Sequence, residues 1–354
     1  MIFNFLSNNS NFLSPEFLHQ IFINSLKLNF FKKIKRFGNL EFNLLKKKFY
    51  NPLGLAAGFD KNAEAIEGEF NLGFGFVELG TVTPMPQKGN PKPRVFKIPE
   101  YEAVIQRLGF NNHGLERFLD NIKKYRFNNK DNIIGANIGK NRNTSNINND
   151  YKILFESISP FVDYITINIS SPNTEGLRDL QKKGNIESLL ETITKCNKKK
   201  LPTFIKISPD IDDNDLKNIC KICIKENSIS GLVISNTTIS RESLYSKQIR
   251  NSWKIDEKGG LSGPPVKNLS NMIIEKVFKL TQGKILIIGV GGISTGKDAY
   301  EKISLGCNLV QIYTSLIYRG PGVVSNILSE LSFLIKKNGY SNVTQLVGKK
   351  VKNV

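Results

Sequence analysis

The chain has 354 residues, 40% of them hydrophobic and 23% charged, with 28 Gly, 14 Pro and 4 Cys, which excludes a collagen, a coiled coil, a disulfide-rich miniprotein and a largely disordered chain. Its length allows two ordinary domains or one large α/β barrel with extensions, and no apolar run approaches the roughly 18 residues of a membrane span. The 50 basic and 31 acidic side chains give a net charge of +19, so nucleic acid and anionic lipid are partners to consider.

Residues 1–45 are predicted to form an amphipathic helical cap. Ser14, Pro15 and Glu16 are a typical helix start, with an N-cap, a proline at the first helical position and an acid. Apolar side chains follow at helical spacing, namely Phe17, Leu18, Ile21, Phe22 and Leu26. Such a helix with basic flanks can lie on an anionic membrane surface. The alternative is an ordinary helix packed on the main domain.

Residues 46–354 are predicted to form a (β/α)8 barrel. Eight short apolar runs end in Gly, Asn, Ser or Thr, and polar or helical stretches separate them. Strands that are buried on both faces and alternate with helices are typical of parallel βα units. The runs are Pro52–Gly58, Phe74–Thr81, Asn132–Gly139, Tyr164–Ser170, Thr203–Ser208, Leu232–Thr237, Ile285–Gly291 and Leu309–Thr314. The proline-rich connection at about 82–130 is predicted to be an insertion over the barrel mouth.

Polar residues at the predicted strand ends indicate an active site, since sites of this fold lie at the carboxyl end of the barrel. This end gathers lysines, amides and hydroxyls, without a His, Cys or carboxylate cluster. That pattern argues against a metal hydrolase and against a Cys or His nucleophile. The glycines Gly289, Gly291 and Gly292 after the seventh strand are compatible with a phosphate site or with close packing.

Cys220 and Cys223 form a C-x-x-C pair, which raises the possibility of a metal or redox site. No second pair and no nearby His completes a ligand set, and the surrounding residues predict a helix. We interpret the two cysteines as small apolar residues one helical turn apart. The sequence therefore predicts no metal.

A series of motifs in chain order resembles the dihydroorotate dehydrogenases. They include NPLGLAAGFDKN at 51–62, GFNNHG at 109–114, NIGKN at 137–141, NISSPNT at 168–174 and GGLSG at 259–263. The resemblance covers essentially the whole chain. Ser171, where another branch has cysteine, and the N-terminal extension are similar to class 2, the membrane-associated, quinone-linked branch. This implies oxidation of (S)-dihydroorotate to orotate on FMN in pyrimidine synthesis, with a membrane quinone as the electron acceptor.

The resemblance also implies roles for individual residues. Ser171 is the catalytic base, with Thr174 and Phe110 at its proton relay. The substrate residues implied are Lys61, Gln106, Arg107, Leu108, Gly109, Phe110, Asn168, Asn173, Asn236 and Thr237. The FMN residues implied are Ala57, Gly58, Phe59, Asp60, Lys61, Thr81, Asn137, Asn168, Lys206, Ser235, Gly263, Gly292, Tyr313 and Thr314. His19 and Lys97 fall where this branch places its quinone site.

Three positions depart from the family pattern. Gln106 stands where the family usually has Asn, so one methylene must be absorbed there. Ser235 replaces a threonine and keeps the hydroxyl, and Lys97 replaces an arginine and loses its planar fork. The expected location is the cytoplasmic side of the cell membrane, in peripheral contact, and the oligomeric state is left open, a monomer included.

Two alternatives remain on the sequence alone. The first is a class 1 enzyme that uses fumarate or NAD. The second is a basic protein that binds nucleic acid or lipid and does no chemistry. The positive charge consists of 40 Lys against 10 Arg, scattered among many Asn and Ile, whereas polyanion sites favour clustered bases and Arg forks. Since Lys, Asn and Ile share A/T-rich codons, we predict no nucleic-acid partner.

Overall fold

The computed structural model describes residues 14–28, 35–225 and 228–352. Residues 1–13 and 29–34 of the predicted helical cap therefore lie outside the described residues. The strands are β1 (Phe42–Leu44), β2 (Lys47–Phe49), β3 (Leu53–Leu55), β4 (Phe76–Val82), β5 (Val95–Ile98), β6 (Ala103–Gln106), β7 (Ile133–Ile138), β8 (Tyr164–Asn168), β9 (Thr203–Ile207), β10 (Gly231–Ile234), β11 (Gly260–Ser262), β12 (Leu286–Val290) and β13 (Leu309–Ile312).

The helices alternate with the barrel strands. They are α1 (Pro15–Lys27), α2 (Ile66–Asn71), α3 (Gly114–Asn128), α4 (Ile147–Ile158), α5 (Lys183–Cys196), α6 (Asp213–Lys225), α7 (Lys267–Thr281), α8 (Gly296–Ser304), α9 (Thr314–Arg319), α10 (Gly322–Lys337) and α11 (Lys349–Lys352). None of the helices in the described ranges is long and apolar enough to span a bilayer.

Eight parallel strands close into a barrel in the order β3-β4-β7-β8-β9-β10-β12-β13, and β13 pairs back to β3. Nearly all of their residues are buried, because helices cover the outer face and side chains fill the interior. The predicted (β/α)8 barrel is confirmed, and each of the eight predicted runs overlaps one barrel strand.

The antiparallel hairpin of β1 and β2 closes the amino end of the barrel. Phe49 is only 1% exposed, and its ring lies 5.9 Å from that of Phe76 inside the barrel and 5.3 Å from that of Phe42. Leu45 and Lys46 form the turn, with φ of 53° and 60°. The division of the chain predicted at residue 45 would therefore pass through this hairpin.

The insertion after β4 leaves the barrel at its carboxyl end. Its strands β5 and β6 form an antiparallel sheet, and β11 pairs with β6 as the third strand. This sheet has an apolar core of its own, which includes Phe96, Ile98 and Leu261. The last part of the stretch at 82–130 is α3, which connects β4 to β7 as a barrel helix.

Helix α1 begins as predicted, with the Ser14 side chain accepting a hydrogen bond from the Phe17 N–H. Phe22, Ile23 and Leu26 are buried against the barrel. The contact with α2 is so close that a Cβ at Gly68 would lie 2.3 Å from the Leu26 carbonyl oxygen. The same helix presents a second apolar face to solvent, on which Phe17 is 54% exposed.

Replacing Phe49 with Ala should lower the unfolding free energy by about 3–5 kcal/mol, because it removes buried apolar area and leaves a cavity beneath the barrel. Urea unfolding measures this loss. Phe127, which is 84% exposed on α3, provides the matched control, and Phe127→Ala should change stability by less than about 0.5 kcal/mol. Equal losses in the two variants would contradict the role of Phe49 in closing the barrel.

Candidate active site

A cavity of about 1370 Å³ opens at the carboxyl end of the barrel. Three parts of the structure form its walls: the strand ends, the insertion with β5 and β6, and one side of α1. The volume is larger than most single-ligand pockets, which range from about 300 to 1,000 Å³. The cavity is therefore large enough to receive more than one small molecule.

Beneath this cavity, the buried carboxylate of Glu78 organises a set of polar side chains inside the barrel. It accepts hydrogen bonds from Asn137 Nδ2 at 2.7 Å, Gln311 Nε2 at 2.9 Å and the Tyr164 hydroxyl at 3.2 Å. Lys206 is also buried, and burial lowers its pKa while the charge of Glu78 opposes that shift. The polar layer thus combines one acid, one base and two oriented amides.

A chain of side-chain hydrogen bonds continues from Asn137 around the barrel. Asn137 Oδ1 accepts from Thr81 at 2.6 Å and from Asn168 Nδ2 at 3.0 Å. Asn168 Oδ1 then accepts from the Ser170 hydroxyl, whose oxygen accepts from Asn236 Nδ2 at 3.0 Å. These bonds fix the Thr81 hydroxyl of β4 and the amides that follow from β7, β8 and β10, which is the rigidity that an ordered site requires.

The loop after β3 brings Lys61 to the cavity wall. The Asp60 carboxylate accepts hydrogen bonds from the backbone N–H groups of Asn62 and Ala65, so it holds the loop rather than a ligand. Lys61 Nζ donates to the Gly58 carbonyl at 2.7 Å. Burial lowers the pKa of Lys61 to about 8. A negatively charged ligand would therefore offset the cost of its buried charge.

Ser171 lies in the loop after β8 and is 6% exposed. Its Oγ accepts a hydrogen bond from the Asn173 N–H at 3.2 Å. Asn173 is in turn tied to the insertion, because its Nδ2 donates to the Gln106 carbonyl at 3.1 Å. The nearby Thr174 Oγ1 is buried and has no hydrogen-bond partner among the described residues.

The segment from Gln106 to Phe110 faces the cavity only in part. Gln106 and Leu108 line it. The Arg107 guanidinium points elsewhere, pairing with Glu257 and lying over the Phe96 ring at 4.7 Å. Phe110 packs against Gly139 so closely that a Cβ at Gly139 would lie 2.9 Å from its ring.

Between α1 and the barrel lies a cluster of aromatic and charged groups. His19 Nε2 lies 2.8 Å from the Phe59 carbonyl oxygen and donates to it, and the two rings meet edge to face. Arg94, which is 6% exposed, pairs with Glu16 of α1 at 2.7 Å and also donates to the carbonyls of Lys88 and Asn90. Lys97 lies over the Tyr318 ring at 5.0 Å.

Comparison with known proteins identifies the family. The family profile described as "Dihydroorotate dehydrogenase" matches residues 39–335. The chain belongs to the dihydroorotate dehydrogenase family. It is 41% identical to the mitochondrial dihydroorotate dehydrogenase (quinone) of Mus musculus, covering 95% of this chain and 87% of that protein, and 42% identical to the dihydroorotate dehydrogenase (quinone) of Bartonella tribocorum, covering 94% and 92%. A crystal structure of DHODH from Eimeria tenella in complex with ferulenol superposes with a TM-score of 0.90, at 36% identity and 97% coverage of both chains.

The residues implied by the family resemblance divide into two sets. Those that line the cavity are His19, Ala57, Gly58, Phe59, Asp60, Lys61, Lys97, Gln106, Leu108, Lys206, Ser235, Asn236, Thr237, Gly263, Gly292, Tyr313 and Thr314. Those outside the lining are Thr81, Arg107, Gly109, Phe110, Asn137, Asn168, Ser171, Asn173 and Thr174. Asn173 of the second set is hydrogen-bonded to Gln106 of the first, and Asn168 is linked to Asn236 through the Ser170 hydroxyl.

Dihydroorotate dehydrogenases are flavin-dependent, and the polar groups of the cavity fit such a cofactor. Lys206 Nζ and the N–H groups of Gly291 and Gly292 have no hydrogen-bond partner in the described part of the chain. Gln311 Oε1 is buried and also lacks one. A flavin ring edge offers both donors and acceptors, and a phosphate suits glycine N–H groups. The free groups therefore match the ligand's chemistry.

Sequence reasoning missed several residues of this site. Glu78 and Gln311 lie inside the predicted runs, three residues before Thr81 and Thr314, and on the inward face of their strands. The prediction considered only the residues at the strand ends and so did not include them. Asn111 lines the cavity with an unpartnered Oδ1. Glu16 and Arg94 meet only in the folded chain. A polar residue at an inward position of an otherwise apolar strand was the available signal for the first two.

Acid should destabilise the protein through His19. Burial and the charge of Lys61 lower the pKa of His19 to about 3, whereas an unfolded His has a pKa of about 6.5. As the pH falls below 6.5, the unfolded chain takes up a proton that the folded chain does not, so stability is lost. Urea unfolding at pH 7 and pH 5 should show a smaller loss in His19→Gln. Parallel losses in both proteins would contradict a neutral, buried His19.

Proposed function

We propose that this protein oxidises dihydroorotate to orotate with FMN as its cofactor and a membrane quinone as its electron acceptor, in pyrimidine synthesis. The observation that carries the proposal is one continuous cavity, which extends from Lys206 and the strand ends to the inner side of α1. Such a cavity can hold a cofactor between two substrates that react in turn. FMN held there would supply the chemistry that the chain's own side chains lack, namely acceptance of a hydride from carbon 6 of dihydroorotate and transfer of two electrons to the quinone.

Ser171 is proposed to remove the proton from carbon 5 of dihydroorotate. Its oxygen has two lone pairs and one proton. The Asn173 N–H occupies one lone pair, which leaves the second for the substrate proton and the hydroxyl proton for donation onward. Thr174 Oγ1, buried and without a partner among the described residues, supports an exit for that proton through a relay beside Phe110.

Substrate recognition is proposed to rest on amide groups and one cation. Asn236 and Thr237 line the cavity, and Thr237 Oγ1 is buried without a hydrogen-bond partner in the described chain. An imide such as orotate offers both donors and acceptors to such groups. Lys61 would pair with the orotate carboxylate. Asn168 and Asn173 would act from the adjoining hydrogen-bond network, and Asn111 is an additional candidate.

FMN is proposed to lie against Lys206 and the strand ends, with its phosphate at the glycine turns after β12 and beside Gly263. Barrels commonly bind phosphate after their seventh and eighth strands. The quinone is proposed to occupy the side of the cavity formed by α1, where Leu18, Phe22 and Ile23 are apolar. His19 and Arg94 supply polar groups at this side, and Lys97 lies farther along the wall.

The apolar outer face of α1 supports peripheral contact with a membrane. Phe17 is 54% exposed, and Leu28, which follows the last residue of α1, is 64% exposed. Neither lines the cavity, and their separation of about three helical turns places them on one side of the helix. Exposed aromatic and aliphatic side chains of this kind insert among lipid headgroups. A quinone dissolved in the bilayer would then reach the cavity beside the same helix.

The test is an anaerobic titration of the purified yellow protein with dihydroorotate, followed by reoxidation. Dihydroorotate should bleach the flavin, and a quinone should restore the colour faster than fumarate or NAD. Ser171→Ala should still bind FMN and orotate but bleach roughly 10²- to 10⁴-fold more slowly, the usual effect of removing a general base. Stopped-flow absorbance measures the rate.

Ser188→Ala, on the exposed surface of α5, is the matched control and should bleach at the native rate. Near-native bleaching of Ser171→Ala would remove Ser171 from the role of base. If fumarate or NAD reoxidised the bleached flavin faster than a quinone does, the proposed electron acceptor would be wrong.

Introducing charge on the outer face of α1 should separate membrane contact from catalysis. Phe17→Glu combined with Leu28→Glu should release the protein from vesicles that contain anionic lipid. The change removes apolar area that would contact the lipid and adds charge of the same sign as the lipid headgroups. Turnover with a short-chain, water-soluble quinone should stay native. Phe127→Glu, at a still more exposed position on α3, should leave vesicle binding unchanged, and vesicle flotation measures the binding. Retention of the α1 variant on vesicles would contradict the contact.

A further inference from the structure

Lys302 of α8 is a fully buried lysine that the proposed reaction does not use. Its Nζ donates to the Ser270 hydroxyl oxygen at 2.9 Å and to Asn271 Oδ1 at 2.8 Å, both on α7. Both acceptors are neutral. The carboxylates of Asp298 and Glu301 are close enough to affect it electrostatically, but both form ion pairs with Lys267. Lys302 therefore carries a buried charge without a carboxylate bound to it, which is costly unless another anion compensates.

The lysine reaches Ser270 across the outer face of β12. A Cβ at Gly289 would lie 3.4 Å from Lys302 Cδ and 2.5 Å from Cys307 Sγ. Glycine at this position therefore makes room for the lysine and the thiol beside the strand. The close fit also fixes the path of the Lys302 side chain towards α7.

Ser270 transmits the contact to the glycine turn after β12. Because Lys302 Nζ can only donate, the Ser270 hydroxyl accepts from it and directs its own proton to the Val290 carbonyl at 2.6 Å. The same carbonyl accepts from the Ser235 N–H at 3.0 Å. Two donors therefore hold the Val290 carbonyl against the barrel wall.

The orientation of this carbonyl determines that of the next N–H. The Val290–Gly291 peptide is trans, so its carbonyl and its N–H point to opposite sides of the peptide. With the carbonyl held towards Ser270, the Gly291 N–H points away from it. Gly291 and Gly292 line the cavity, and neither N–H has an acceptor within the described residues.

We infer that Lys302 is a positioning residue for the phosphate of the cofactor, acting through Ser270 and the Val290 carbonyl on the glycine turn, and that its charge adds to the attraction. The inference rests on the proposed function, because it takes FMN as the ligand of this turn. The lysine itself does not reach the cavity lining. Lys302 aligns the N–H groups of the glycine turn and places a positive charge behind them. Its effect on the affinity for a flavin should therefore appear only when that flavin carries a phosphate.

The test compares FMN with riboflavin, which has the same ring system but no phosphate. The full-length protein is stripped of flavin and titrated with each compound, with quenching of flavin fluorescence as the readout. Lys302→Met should weaken FMN binding by about 10- to 100-fold, the range for losing a hydrogen bond to a charged group. The affinity for riboflavin should be unchanged. Ser270→Ala keeps the charge of Lys302 but removes the hydrogen bonds that connect it to the Val290 carbonyl. It should weaken FMN binding by a smaller factor and should likewise leave the affinity for riboflavin unchanged.

Lys279→Met removes an equal charge from the exposed side of α7, where the lysine pairs with Glu275, and should change neither affinity. Equal weakening of FMN and riboflavin in both buried variants, or no change in either, would overturn the inference. If Lys302→Met does not fold, Ser270→Ala decides alone by the same comparison. Failure of the native protein to bind FMN would instead overturn the proposed function, so the two failures are distinct.

Discussion

The carboxylate of Glu78, buried inside the barrel, is the constraint on which the site depends. A buried charge is costly unless hydrogen bonds and a counter-charge surround it, and Glu78 receives both from Asn137, Gln311, Tyr164 and Lys206. Since Asn137 and Gln311 give N–H groups to the acid, their amide oxygens face other partners. One oxygen joins Thr81 and Asn168, and the other remains open. A single acid thereby orients the amides on several strands.

The barrel could be predicted from the sequence because its strands are short, apolar and separated by helical stretches. The strand ends followed from the same pattern, and with them Lys61, Lys206 and Asn236. Glu78 does not follow from that pattern, because it lies in the interior of β4 and not at the end of the strand. Its neighbours at alternate positions, Phe76 and Gly80, share its inward face, and only closure of the barrel brings that face opposite β13.

The other site residues that could not be predicted depend on contacts between distant parts of the chain. Arg94 and Glu16 are 78 positions apart, and no local pattern pairs them. Arginine is scarce in this lysine-rich chain, so its few positions could have been examined as candidates for contacts that require a guanidinium. Arg94, Arg107 and Arg126 each combine an ion pair with bonds to backbone carbonyls, a geometry that a lysine ammonium does not reproduce. These three arginines therefore connect segments that are distant from one another in the sequence.

The ion pair between Arg94 and Glu16, which connects α1 to the insertion, has a thermodynamic consequence. Helix α1 forms one wall of the cavity, and the barrel forms the others. A molecule that touches both walls binds the docked arrangement more tightly than the undocked one, so by linkage its occupancy adds to the free energy of docking. The docked position of α1 is therefore most stable when the cavity is occupied. The rate at which a protease cleaves this helix should then fall as the fraction of ligand-bound protein rises.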